Sequence, residues 1–233
     1  MMKKSLLIAR EDYLSAGVHI GMTSRTEDMK KFIYKVRPNG LAVLNIGILD
    51  ARLQLAANML AEAKNPLIVA RKDVAQAAAK KFAETIEARS IIGRFMPGSL
   101  TNPTYEGFFE PDLVVITDPS VDRQALKEAV QIRAPVIAFA DTSNNTDFID
   151  VIVPCNNKGK KSMALVFWVL AKTILEKRNE GKVQKDEKGE SVPYKYDMKL
   201  EDFGYEEGKD DQYPQQERRP QGRGRGRRQE EDD

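Results

Sequence analysis

The sequence predicts an α/β fold, a doubly wound and largely parallel sheet with flanking helices and a charged C-terminal tail, on three observations. Between Gly40 and Arg178 short apolar runs alternate with amphipathic ones, the order of repeated βα units. The short runs are continuous in Val, Ile, Leu and Ala, as strands covered on both faces are. After Asn179 the apolar periodicity stops, and residues 182–233 become charged and rich in Gly, Pro and Gln.

Element by element, a short helix over 11–16 leads through a basic loop to residues 31–37, which alternate like a strand preceding the wound sheet. Residues 41–46, 67–70, 90–92, 113–116 and 136–140 read as core strands, and 151–153 as a short sixth. Helices lie between them, each with a core stripe: Leu49, Leu53, Ala56 and Leu60; then Val74, Ala78, Phe82 and Ile86; then Val121, Ala125, Ala129 and Ile132. The last and longest helix starts near Gly159 with Met163, Val166, Phe167, Leu170 and Ile174 on one face. Trp168 lies off that stripe and is expected to pack on the protein rather than face a partner. A single domain over 1–180 with an N-terminal extension is therefore expected, and a tail over 181–233 that is disordered when free. In the tail only Val192, Tyr194, Tyr196, Met198, Leu200 and Phe203 could anchor on a neighbour.

A chain of 233 residues can bury a core without covalent staples, and none is on offer. Cys155 and His19 are the only residues of their kinds, so neither an intramolecular disulfide nor a Cys/His zinc cluster can form. This fits a reducing cytoplasm, with no signal peptide or membrane span expected from the short apolar stretch after Lys4. The overall charge of +2 conceals a division: residues 1–178 carry a formal +6 and residues 179–233 a formal −4. A basic domain leans toward polyanions without proving a nucleic-acid partner.

Asp118 and Asp141 each follow a predicted strand, where doubly wound sheets hold ligands, and could act as acid and base in a nucleotide or sugar-phosphate enzyme. Asp118-Pro119-Ser120 and Asp141-Thr142-Ser143-Asn144 read better as turn and cap chemistry, and no third catalytic group is recognisable. No GxGxxG occurs, and Lys158-Gly159-Lys160-Lys161-Ser162 is no P-loop, since Pro154 stands where its first glycine belongs. Asn156, Asn157, Lys158, Lys160 and Lys161 nevertheless crowd donors and charge at a helix start, either as a phosphate site or as a solvated turn. Arg25, Lys30, Lys31, Lys35 and Arg37, interleaved with Phe32 and Tyr34, make an RNA surface or a solvated strand face. The Arg-Gly run at 223–228 is of the kind that binds RNA weakly, blunted by the four acids that end the chain. His19, among small and apolar neighbours, is expected to be structural.

Separated motifs give the chain a resemblance to a known family: Tyr13-Leu14, Ala16-Gly17-Val18-His19-Ile20-Gly21, Phe32-Ile33-Tyr34, Arg37-Pro38, the stretch from Gly93-Arg94-Phe95 to Asn102-Pro103, Glu110-Pro111-Asp112, Thr117-Asp118-Pro119, Asp141-Thr142 with Asn144, and Asn156-Asn157-Lys158-Gly159 with Lys161-Ser162. Over residues 10–178 it resembles the second protein of the small ribosomal subunit, in the form found in archaea and eukaryotes. The resemblance implies a flavodoxin-like parallel sheet, no catalysis, no cofactor, and binding to small-subunit ribosomal RNA and neighbouring ribosomal proteins in the cytoplasm. It implies no membrane partner and no small-molecule substrate. The connections are too short for the helical hairpin of the bacterial branch, and the tail lacks the repeated aromatic motifs of the eukaryotic one, so an archaeal source is expected. Asn45 stands where an aspartate is expected, which leaves the capping of the next helix in question. The RNA-binding set expected is Arg25, Lys30, Lys31, Lys35, Arg37, Arg94, Asn156, Asn157, Lys158, Lys160 and Lys161. An extraribosomal adhesion or adaptor role acting through the tail is the remaining alternative.

Overall fold

The computed structural model describes residues 6–179, 183–185, 191–193 and 198–205. Helix α1 (Arg10–Ser15) leads to an antiparallel hairpin of β1 (Ile33–Val36) and β2 (Ala42–Leu44), then α2 (Ile46–Glu62). The wound part follows as β3 (Pro66–Ala70), α3 (Asp73–Ile86), β4 (Arg89–Ile92), β5 (Leu113–Ile116), α4 (Arg123–Gln131), β6 (Val136–Ala140), β7 (Val151–Pro154) and α5 (Lys160–Arg178). Beyond it are a small antiparallel pair, β8 (Val183–Lys185) and β9 (Ser191–Pro193), and a 3-10 turn at Leu200–Phe203.

Strands β3 to β7 form one parallel sheet in the order β4-β3-β5-β6-β7. Counted from β3, this is the flavodoxin-like order 2-1-3-4-5, with its reversal between β3 and β5. One sheet face packs Ile68, Ala70, Val115, Ile137, Phe139 and Val153 against α2, α3 and α5, where Phe167 meets Phe82 and Phe139 with ring centroids 5.1 Å apart. The other face packs Leu67, Val69, Val114, Ile116 and Ala138 against Ala125 and Ala129 of α4. Alternate residues of each strand point to opposite faces, and both faces are covered, which is why the strands read as unbroken apolar runs.

Three features depart from the sequence reading. Residues 41–46 are not the first core strand: β2 pairs with β1 in a separate hairpin. An apolar run reports burial, and here the burial comes from Leu44 packing with Met29, Phe32, Ala140 and Ile152. Second, β6 and β7 are joined by residues 141–150 without a helix. The N-terminal extension covers the sheet there instead. Met22 N donates to Thr142 Oγ1 at 2.9 Å, Thr26 N to Thr142 O at 2.9 Å, and Thr26 Oγ1 to Asn144 O at 2.9 Å. The two segments approach so closely that a Cβ on Gly21 would stand 2.5 Å from the Thr142 methyl.

The third departure is the domain boundary. Residues 198–205 return to α3 and α5, burying Phe203 to 1% exposure in the main core, with Met198, Leu200 and Tyr205 packed against it. The Trp168 indole donates to Met198 O at 2.9 Å. Trp168 thus packs on its own chain, as expected, but its cover comes from beyond residue 180. Tyr194, Tyr196 and the Arg-Gly run at 223–228 lie outside the described residues. The Asn45 question is answered by geometry: its Oδ1 accepts from Gly47 N at 3.0 Å and caps α2 as an aspartate would.

Candidate nucleic-acid interface

Parallel strands deliver their C-terminal ends, and the loops after them, to one edge of the sheet. Arg71 and Lys72 after β3, Arg94 after β4, Thr117 and Asp118 after β5, Asp141 and Thr142 after β6, and Asn156 to Lys161 after β7 all gather there. The carboxylates of that edge are held by the protein itself. Asp118 Oδ1 accepts from Ser120 N at 3.0 Å and from Asn144 Nδ2 at 2.9 Å, while Oδ2 pairs with Lys72 Nζ at 3.5 Å. Asp141 accepts from Thr142 N at 2.6 Å, and its other oxygen pairs with Lys158 Nζ at 3.5 Å. Both carboxylates therefore serve turns and ion pairs at the position where an enzyme of this architecture holds substrate.

Asp122, the residue before α4, closes the loop after β5: its carboxylate accepts from Arg71 N at 3.1 Å, Thr117 Oγ1 at 3.0 Å and Asp118 N at 3.2 Å. Burial pushes its pKa up to about 6, because those three bonds only partly offset the loss of water. The folded state then holds this proton more tightly than the unfolded chain, where the ordinary value is 3.8. Its contribution to stability falls as pH rises from about 4 to about 6 and is level above that window. A carbon-13 titration should find the Asp122 carboxyl midpoint near 6; a midpoint below 4 would mean that the three bonds outweigh burial. Burial likewise raises the pKa of Asp141, opposed by Thr142 N and the Lys158 ammonium.

The 93–103 motif is mostly scaffolding. Phe95 and Leu100 are buried under α4, and the buried Glu128 carboxylate accepts from Gly98 N at 2.8 Å, Leu100 N at 3.1 Å and Gln124 Nε2 at 2.8 Å. Gly98 has a φ of 91°, which glycine adopts without strain and which presents the turn's amides to Glu128. Arg94 alone of the expected RNA set lies on this loop, and it is exposed.

The expected basic residues divide into groups. Lys160 is exposed and Lys161 half-buried in the first turn of α5, which contains no acid. Lys158 is half-buried and bound to Asp141 and to Ser143 Oγ at 3.4 Å. Asn156 and Asn157 are buried: Asn156 Nδ2 donates to Gly17 O at 3.2 Å and its Oδ1 accepts from Lys158 N at 3.0 Å. Asn157 Nδ2 donates to Phe139 O and Asn144 Oδ1, both at 3.1 Å. The two amides thus shape the turn from inside. Exposed Arg25 joins this group, because its loop is stitched to Thr142 and Asn144. Arg94 does not: β4 and β7 are opposite edges of the sheet, four strand spacings or roughly 19 Å apart.

A second group sits on the hairpin. Lys35 and Arg37, with the exposed Tyr34, border a cleft of about 530 Å³ that also takes in Arg10, His19 and Asn45. Lys30 is paired with Glu27, and Lys31 lies 5.2 Å from the Phe32 ring centroid. His19 is buried, with its pKa lowered by desolvation, opposed by the Tyr13 carbonyl and reinforced by Arg37, so it stays neutral near pH 7. The sequence reading missed Arg71, Lys72 and Arg10; the signal for the first two was a pair of cations directly after a core strand at the reversal of the sheet. Among the described residues, no group of three His, Cys, Asp or Glu side chains could hold a metal ion, and no helix is long and apolar enough to cross a membrane.

The family model described as Ribosomal protein S2 matches residues 13–106 and 108–177. The chain is 49% identical over 176 residues to the small ribosomal subunit protein uS2 of Haloquadratum walsbyi, covering 74% of this chain and 63% of that protein. It is 48% identical over 177 residues to the protein of the same name from Methanoregula boonei, covering 75% of this chain and 87% of that one.

Proposed function

We propose that this chain, which belongs to the ribosomal protein S2 family, is a structural constituent of an archaeal small ribosomal subunit. It binds ribosomal RNA and neighbouring ribosomal proteins in the cytoplasm, and it acts by binding rather than by catalysis. Both archaeal relatives carry the name of a small-subunit protein. The observation that carries the RNA reading is the start of α5, where Lys160 and Lys161 occupy the first turn of a 19-residue helix. That end of a helix already bears partial positive charge and normally attracts acids, so paired lysines there are unfavourable for the free protein and favourable against phosphate. Arg25 beside the same turn, and Lys35, Arg37 and Tyr34 on the hairpin, extend the RNA-binding surface. Arg94 reaches the RNA at a separate place. Asn156, Asn157 and Lys158 contribute by holding the turn in shape.

Lys160→Glu with Lys161→Glu should weaken incorporation into small subunits by about tenfold or more at physiological salt. It should also reduce the slope of log affinity against log salt by about 2, one for each phosphate that a lysine no longer neutralises. Co-sedimentation at several salt concentrations checks this, with thermal melting to show that the fold is intact. Incorporation equal to that of the unaltered protein at all salts would remove the turn from the RNA-binding surface.

A further inference from the structure

Phe148, in the helix-free connection between β6 and β7, combines two unfavourable features. Its φ is 63°, in the left-handed region, and its side chain is 73% exposed. A bulky aromatic in that region is a conformational outlier, and such outliers persist where the surrounding structure enforces them. Among the described residues, the other two non-glycine residues with positive φ have an evident purpose, since both end helices. Ala88 N donates to Ala83 O after Glu87, and Ala134 N to Ala129 O after Arg133, closing α3 and α4. Phe148 ends no helix.

Its surroundings form a groove. On one side is a cavity of about 540 Å³ bordered by Arg123, Leu126, Lys127 and Val130 of α4 and by Phe148. On the other is a cavity of about 390 Å³ bordered by Val130, Arg133, Ile149 and Phe148 again. Positions 123, 126, 127 and 130 recur at helical spacing, so Val130, exposed, and Leu126, buried at its base, give the groove an apolar floor with exposed cations beside it. Asp147 is the acid on the first cavity's border; Asp150, on the second, is occupied in accepting from Val136 N at 2.8 Å.

We propose that this groove docks an acidic, apolar-anchored segment of a protein partner, with Phe148 as a fixed knob between two sockets and Arg123, Lys127 and Arg133 meeting the partner's carboxylates. An aromatic anchor in an apolar centre with a charged border is the anatomy of a protein interface. The floor is aliphatic and offers a single ring, so an RNA strand would find little to stack on. The cations choose an acidic partner over a basic one. The surface shares no residue with the Lys160–Lys161 turn.

The full chain with Phe148 replaced by the photoreactive p-benzoylphenylalanine, expressed in archaeal cells and irradiated in the particles it enters, provides the test. The expected adduct is a peptide in which two or more acidic residues lie close to an apolar one. Arg123→Glu with Lys127→Glu, both exposed positions, should cut its yield by about tenfold. An adduct with RNA alone, with a second copy of this chain, with a peptide lacking acids, or with nothing overturns the proposal, as does a yield indifferent to the charge reversal. Phe148→Gly supplies a second reading on the free protein. Glycine relieves the backbone, so the melting temperature should rise by about 2–4 °C; a fall would make Phe148 a structural residue and sink the docking role. Co-sedimentation of the photoreactive protein with small subunits is read separately, so failure of the ribosomal role and failure of the groove give different results.

Discussion

Replacing Phe203 by alanine in the full chain should destabilise the domain by about 3 kcal/mol, and truncation after Glu180 should cost at least as much. Phe203 lies in the main core against α3 and α5. Truncation would also uncover Trp168, take away the carbonyl that receives its indole N–H, and remove Met198, Leu200 and Tyr205. From the sequence, removal of the tail is expected to leave the domain intact; from the structure, the truncated domain is folded but much weaker, since about 5–15 kcal/mol is the whole stability of such a unit. Urea unfolding of the free protein measures this directly. A midpoint unchanged by Phe203→Ala would mean that residues 198–205 do not dock on the free domain.

The second large effect is expected at Lys158. Asp141 is 1% exposed, its Oδ2 has no hydrogen-bond donor, and Lys158 at 3.5 Å supplies the compensating charge. Lys158→Met should therefore cost about 3 kcal/mol at neutral pH, because it leaves a buried carboxylate uncompensated. Without the ammonium the Asp141 pKa rises further above its ordinary value. The folded state then takes up a proton more readily than the unfolded chain, and the loss shrinks as pH falls toward that raised pKa. Denaturation at two pH values tests the sign: an equal loss at both would mean that the ammonium contributes by packing alone. Adding Asp141→Asn to Lys158→Met should restore most of the stability, whereas Lys160→Met, at an exposed site, should change it by about 0.5 kcal/mol or less.

Lys158 also shows where sequence reasoning stops. Most helices and strands and the largely parallel character of the sheet were legible because two-sided burial writes itself into composition, as the 113–116 and 136–140 runs demonstrate. Which sheet a run joins was not legible: 41–46 is as apolar as a core strand, yet its burial comes from Met29 and Phe32 rather than from β3. Charge is ambiguous in the same way. Lysines 158, 160 and 161 look alike in the chain, and only the fold reveals that one of them neutralises a carboxylate 17 positions upstream while the next is exposed. Glu128 looks like a solvent-facing helix residue, but the amides of Gly98 and Leu100 make its burial tolerable. Met198, Leu200 and Phe203 were legible as the tail's anchors, but their docking on their own domain rather than on a neighbour was not, because eight residues are too few to display a period.

The N-terminal cover over β6 and β7 sets an order of events during synthesis. Thr26 waits for Asn144, 118 residues later in the chain. At about 5–20 residues per second, the interval between the two is roughly 6–24 s. Met29 and Phe32 leave the exit tunnel of the translating ribosome long before the sheet edge that will bury them exists. The hairpin's apolar side is thus made early and covered only after the sheet edge has been synthesised, and this long-range closure makes folding slow relative to proteins of local topology. Nascent chains halted before residue 140 should therefore expose the hairpin to chaperones or to self-association, and those halted beyond the tail's docking segment should not.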